Sequence, residues 1–334
     1  MVPVAVEVWR GDRVESRHRA SLAVADRGGR LRLAVGDTER PVYPRSAVKP
    51  LQALPLVESG AADAWALSAA ELALACASHA GEPIHVATVA AWLARLGCDE
   101  TVLVCGPHPP LDGPSAERLA RAGEAPSRLH NNCSGKHAGM LALARRLGAP
   151  LSSYERPDHP VQRAIRAVLC DLCDGRLEEP PAIDGCGVPT WAVPLSALAT
   201  AFARFATPDG LAPERAAAAA RIARAMRAEP LLVAGRGRLC TLLLEQGLLA
   251  KTGAEGVYLA AAPGSGLGLA LKVEDGAARA AEVALLAALD ALGWLSPQAR
   301  SALSPRARPV LYNHAGTPVG RVAPVEGWPR EFAR

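Results

Sequence analysis

Lysine is almost missing from this 334-residue chain: of 37 Lys and Arg residues, only Lys49, Lys136, Lys251 and Lys272 are lysines. Arginine stays charged inside a protein, whereas lysine can become a neutral base or ligand. A chain that gives arginine the ordinary surface roles therefore flags the few positions where it keeps lysine. Lys49, Lys136 and Lys251 stand in motifs containing Ser, Gly or Cys, while Lys272, beside acidic residues late in an expected strand, reads as surface. Aromatic residues are scarce too, with 6 Trp, 4 Tyr and 3 Phe. The net charge of +4 is spread along the chain without a Lys/Arg block. Together these argue against a dedicated nucleic-acid surface. No apolar run reaches the roughly 18 residues of a membrane helix. The first ten residues turn charged too early for a secretory h-region, so no membrane association and a cytoplasmic location are expected.

Half of the residues are hydrophobic, enough for a sizeable core without covalent staples. The eight cysteines are then expected as reduced thiols or ligands. The first 45 residues read as short strands broken at Gly11-Asp12 and Gly28-Gly29. From Ser46 the pattern turns helical: residues 51–57, a capping box at Ser68 and Glu71, then 83–96, 135–147, 159–172, 195–206, 213–228 and 238–246. Strands return at 257–262 and 267–273, a long helix follows at 277–292, and strands are expected at 310–312 and 319–322. This order predicts an α/β (α+β) fold: a single catalytic domain with a sheet subdomain from residues 1–45 and 251–334 and an inserted helical lobe at 46–250. The junction of sheet and lobe is the expected place for a small-molecule pocket.

Four stretches carry chemistry. Ser46-Ala-Val-Lys49 puts a hydroxyl and an amine three residues apart at a helix start, where they share one face. A neutral lysine there can activate the serine, provided burial or nearby charge lowers its pKa. Lys251-Thr252-Gly253 precedes the strand at 257–262, and a Ser-x-x-Lys followed by Lys-Thr-Gly is the order found in acyl-serine enzymes. Their middle Ser-x-Asn has its nearest counterpart in Ser78-His79-Ala80, which departs at the third position. The stretch Asn131–Met140 holds Cys133, Lys136 and His137, with Ser134 or Asn132 as helix cap; its N-terminus suits a carboxylate, and Cys133 with Lys136 or His137 suits a metal. Asp184-Gly-Cys186-Gly is either a tight turn or a place for a substrate ammonium, with Cys186 able to join Cys133 on zinc. A phosphate loop at Gly135-Lys136 fails because its upstream glycine is absent.

Taken together, Arg45–Pro50, Ser78–Glu82, Asn131–Met140, Asp184–Pro189 and Lys251–Gly253 resemble the Rhizobium etli-type L-asparaginases of the asparaginase II family, from about Val4 to Val322. The resemblance implies a fold like serine β-lactamases and glutaminases, with an antiparallel sheet. It implies an amidohydrolase that converts L-asparagine to L-aspartate and ammonia through two Ser–Lys pairs, Ser46 with Lys49 and Ser78 with Lys251. It also implies zinc on Cys133, Lys136 and Cys186, aiding substrate binding, and a homodimer. In the expected reaction Lys49 deprotonates Ser46, which attacks the side-chain amide, and Ser78 with Lys251 passes a proton to ammonia. Arg45 and His137 are expected at the substrate carboxylate and Asp184 at its ammonium. Two other readings compete: a different serine acyl-transfer enzyme, and a non-enzymatic zinc protein using Cys133, Cys170, Cys173 and Cys186.

Overall fold

The structure, a computed structural model, describes residues 1–333. The chain divides into two units, one made of Met1–Ala47, Val193–Thr207 and the residues from Thr252 onward, the other of Val48–Ala192 and Pro208–Lys251. The strands are β1 (Val4–Arg10), β2 (Arg13–Asp26), β3 (Leu31–Val35), β4 (Pro41–Val42), β5 (Ala182–Ile183), β6 (Pro189–Thr190), β7 (Val193–Pro194), β8 (Leu249–Gly253), β9 (Val257–Ala261), β10 (Leu267–Val273), β11 (Val310–Tyr312) and β12 (Pro318–Pro324). Among the described residues eight of them form one sheet in the order β11-β12-β1-β2-β10-β9-β8, with β3 also on β2. The pairings of β1 with β2 and β12, of β2 with β3 and β10, and of β9 with β10 are antiparallel. The fold is mixed α/β, with an antiparallel sheet drawn from both ends of the sequence.

In the first unit, β2 changes character along its length. Arg13, Glu15, Arg17 and Arg19 are exposed at alternate positions, whereas Ala20–Ala25 is buried at every position. Continuous burial means that both faces are covered. Part of that cover is the helix Leu195–Ala206, whose sequence distance from the strands put it in the helical lobe on sequence grounds. It counts instead with the sheet because it packs directly on β2 and β10. Gly268 makes the approach possible: a Cβ there would fall on the Ala199 carbonyl oxygen and the Ala203 backbone nitrogen.

The second unit is helical. Its central element is Ser134–Arg146, in which every residue from Ser134 to Ala144 is buried. A helix covered all round shows no amphipathic stripe. Its small residues set how closely others approach, and a Cβ on Gly135 would stand 2.5 Å from the Leu74 carbonyl oxygen. The Ser68–Glu71 capping box is present, opening Ala69–Ala75. The expected helix at 51–57 is instead two short ones, Lys49–Gln52 and Leu54–Glu58, each with a proline in its first turn where a missing N–H costs least. Four α-helices were not expected, two of them the short Ala61–Ala64 and Pro230–Ala234. Gly113–Ala122 begins inside a Gly/Pro-rich stretch that reads as loop, capped by Asp112, and Pro297–Ala307 carries Pro305 within it. No helix among the described residues is long and apolar enough to cross a membrane.

Candidate active site

Lys49, Lys136 and Lys251 are all buried, at 0%, 4% and 0% exposure. Lys49 opens the helix Lys49–Gln52 directly after the 3₁₀ turn Arg45–Val48. Lys251 lies within β8 itself rather than ahead of a strand, so the alternation of the strand directs its side chain. Ser78 follows the helix Ala69–Ala75, and its backbone N–H donates to the Val233 carbonyl at 3.0 Å.

Both lysines converge on one hydroxyl. The Ser78 Oγ lies 3.0 Å from Lys49 Nζ and 2.8 Å from Lys251 Nζ. Lys49 Nζ also donates to the Ala77 carbonyl at 2.5 Å and reaches Cys133 Sγ at 3.1 Å. Three acceptors for one ammonium match its three protons. Lys251 differs. Burial pulls its pKa from 10.5 down to about 7, helped by the charge of Lys49. A neutral Lys251 offers a lone pair to the Ser78 hydroxyl, while Lys49 offers that oxygen a proton. The result is an ordered line, Lys49 to Ser78 to Lys251. Among the described residues, the Lys49 amine makes its hydrogen bonds to Ala77, Ser78 and Cys133 rather than to Ser46.

Ser46 and Arg45 belong to the first unit and are half-buried on that 3₁₀ turn. Arg45 has φ +50°, a left-handed conformation uncommon for a residue with a side chain. The turn lies against β8: a Cβ on Gly253 would fall on the Pro44 carbonyl oxygen. The glycine of Lys-Thr-Gly thus makes room for the backbone that carries Ser46.

A second cluster adjoins Ser78. Lys136 Nζ lies 2.9 Å from Cys186 Sγ, and the neighbouring Cys133 thiol donates to Asn132 Oδ1 at 3.1 Å. The interaction of the two thiols, with the positive charge of Lys136, holds Cys186 down at about 4 against burial, and the same interaction with burial pushes Cys133 up to about 12. Burial opposes the charge on Lys136, but the thiols Cys186 and Cys133 outweigh it and raise its pKa. Two buried thiols, one of them already a thiolate, and an amine form a donor set that fits a zinc ion with one position left open. Among the described residues no group of three or more His, Cys, Asp or Glu side chains could hold a metal, so the four-cysteine centre with Cys170 and Cys173 is not assembled.

The helix that carries Lys136 is capped differently from expectation. Its N-cap is Cys133, without a side-chain cap; Asn131 Oδ1 receives the Cys133 N–H at 2.9 Å, and the Ser134 hydroxyl bonds elsewhere, to the Leu129 carbonyl and the His79 ring. His137 is fully buried, and burial, with Lys136 next, drives its pKa down to about 3, so it is neutral. Asp184 is half-buried at the turn before Cys186, where its carboxylate accepts the Gly185 N–H at 2.7 Å. Sequence reasoning passed over Tyr154, whose hydroxyl lies 2.7 Å from His137 Nδ1. It also gave His79 no role, yet that ring accepts the Gly81 N–H and reaches Ser134, tying the Ser78 loop to the Cys133 helix. Tyrosine scarcity was the available signal for the first, as lysine scarcity was for the bases.

Residues 6–324 match the family model described as L-asparaginase II. The chain belongs to the L-asparaginase II family. It is accordingly an amidohydrolase of the L-asparaginase type, acting on a small molecule. No curated protein matches the chain in sequence. Among solved structures, a β-lactamase from Mycobacterium bovis is similar at 16% identity and a TM-score of 0.39, over 86% of this chain and 95% of that one. The protein Mglu, solved in its tris and glutamate form, is similar at 17% identity and a TM-score of 0.36, over 84% of this chain and 61% of that one. At TM-scores this low, neither likeness adds to what the element order of this asparaginase II-family chain already establishes.

Proposed function

We propose that this chain hydrolyses L-asparagine to L-aspartate and ammonia through an acyl-serine intermediate, with Ser46 as nucleophile. The observation that carries the reading is the Ser78 hydroxyl held between Lys49 and Lys251. Lys251 takes the Ser78 proton, Ser78 takes one from Lys49, and Lys49 is left neutral to accept the Ser46 proton. The Ser46 Oγ then attacks the side-chain amide carbon. The same line returns a proton to the leaving nitrogen, the C–N bond breaks, and ammonia departs from a β-aspartyl ester. Water, deprotonated along the same line, cleaves that ester and restores Ser46. Arg45 and His137 hold the substrate carboxylate, and Asp184 its ammonium. Cys133, Lys136 and Cys186 would hold zinc, which when bound supplies positive charge that aids substrate binding. A metal there competes with the protons on Cys133 and Lys136, so its affinity rises with pH.

The same contact favours a second assignment within this reading, in which Ser78, the hydroxyl bonded to Lys251, carries the acyl group. Ammonia release from L-asparagine and L-glutamine tests the activity, and intact-peptide mass spectrometry of enzyme quenched during turnover tests the nucleophile. An acyl mass on the peptide containing Ser46, and loss of turnover in Ser46→Ala with the fold retained, is the expected result. A Ser46→Ala enzyme keeping a tenth of wild-type turnover refutes that role, and acylated Ser78 moves it to the second hydroxyl.

A further inference from the structure

Tyr154 and His137 are both fully buried. The Tyr154 hydroxyl accepts the Val104 N–H at 3.1 Å and meets His137 Nδ1 at 2.7 Å, with the two rings edge to face at 5.5 Å. That geometry decides where the protons are. The tyrosine has a single proton to give, and Nδ1 is the acceptor in reach. If Nδ1 carried a proton instead, the buried tyrosine proton would lose its partner. The arrangement that leaves fewer buried groups unmatched has the hydroxyl donating to a bare Nδ1, so the imidazole proton sits on Nε2. That Nε2 has no hydrogen-bond partner among the described residues, although it is buried. A buried donor left without an acceptor is costly and points to a ligand. The charged and titratable groups around the ring are Lys136, Cys133, Lys49 and Asp184.

We infer that Tyr154 is a positioning residue, fixing His137 as an Nε2–H donor for an oxygen of the substrate's α-carboxylate. This rests on the proposed asparaginase reading for the identity of the ligand, though not for the state of the ring. A donor held in one tautomer meets the carboxylate without first moving a proton, so its effect appears in binding. Tyr154→Phe keeps the ring and its packing but removes the proton that holds Nδ1 bare.

The test uses the full chain labelled with ¹⁵N-histidine, together with steady-state kinetics. The His137 ring in the wild type is expected to show a protonated Nε2 and a bare Nδ1. Tyr154→Phe should lose that pattern and raise KM for L-asparagine by about tenfold, with kcat within about threefold, the size of one hydrogen bond to a charged group. The double variant Tyr154→Phe/His137→Gln should bind no worse than His137→Gln alone, since both act through one nitrogen. A wild-type ring protonated on Nδ1, an unchanged KM in Tyr154→Phe, or additive losses in the double variant would overturn the inference. A wild type that releases no ammonia from L-asparagine sinks the asparaginase reading instead, and leaves the ring measurement to decide this one.

Discussion

Replacing Lys251 by methionine should make the protein inactive and, near neutral pH, more stable. Lys251 is fully buried, and burial takes its pKa from 10.5 to about 7. A group whose folded pKa is depressed in this way binds its proton more tightly in the unfolded chain. Below pH 7 both states are protonated and the full cost of burying the ammonium is present. Between pH 7 and 10.5 only the unfolded chain still holds the proton, so stability rises with pH. At about 1.4 kcal/mol per pH unit the full cost is on the order of 5 kcal/mol. Methionine fills similar space without charge, and the lost hydrogen bond to Ser78 returns about 1 kcal/mol of that gain. The variant is thus expected to gain about 4 kcal/mol at pH 6, shrinking to about 1 kcal/mol by pH 9. Urea unfolding of both proteins across that range measures it. A variant no more stable than wild type at pH 6, or a gap that widens with pH, refutes the reasoning. The wild-type kcat/KM should meanwhile climb about tenfold between pH 6 and pH 8 as Lys251 becomes neutral.

The glycines of the central helix give opposite expectations. Gly135→Ala would set a Cβ 2.5 Å from the Leu74 carbonyl oxygen, and should destabilise by about 2–4 kcal/mol in calorimetry or denaturant unfolding. Gly139→Ala meets Ala75 and Leu56 at an ordinary 3.4 Å, and should stabilise by about 0.5–1 kcal/mol through helix propensity. Cys186→Ser removes the thiolate that Lys136 faces. Zinc content by mass spectrometry after loading should fall from near one ion per chain to a small fraction, with circular dichroism unchanged; retained stoichiometric zinc would exclude Cys186 as a ligand.

Much of the site was legible because its chemistry left compositional marks. Three scarce lysines in Ser-, Gly- or Cys-containing motifs are the three buried ones, and two of them share Ser78. The mixed α/β class and the sheet drawn from both ends of the sequence followed from strand-like segments at each end. What stayed hidden depended on long-range placement. That Lys49 turns toward Ser78 is decided by Ala77 and Cys133, distant in sequence, and no local pattern encodes it. The helix Leu195–Ala206 reads as any apolar helix, and its place on the sheet rests on what faces Gly268. The helix Gly113–Ala122 hid behind prolines that suit a first turn as well as a loop.

The pairing of β2 with β10 has a consequence for how the protein is made. Val24 pairs with Leu269, so the apolar half of β2 leaves the ribosome well before its partner exists. At about 5–20 residues per second, the roughly 240 intervening residues take about 12–50 s to synthesise. Through that interval Ala20–Ala25 is a strand with an open edge and a ready template for aggregation. The charged stretch Arg13, Glu15, Arg17 and Arg19 directly before it is the type of flank that discourages such pairing. The sheet therefore closes late, and its N-terminal strands carry their own protection while they wait.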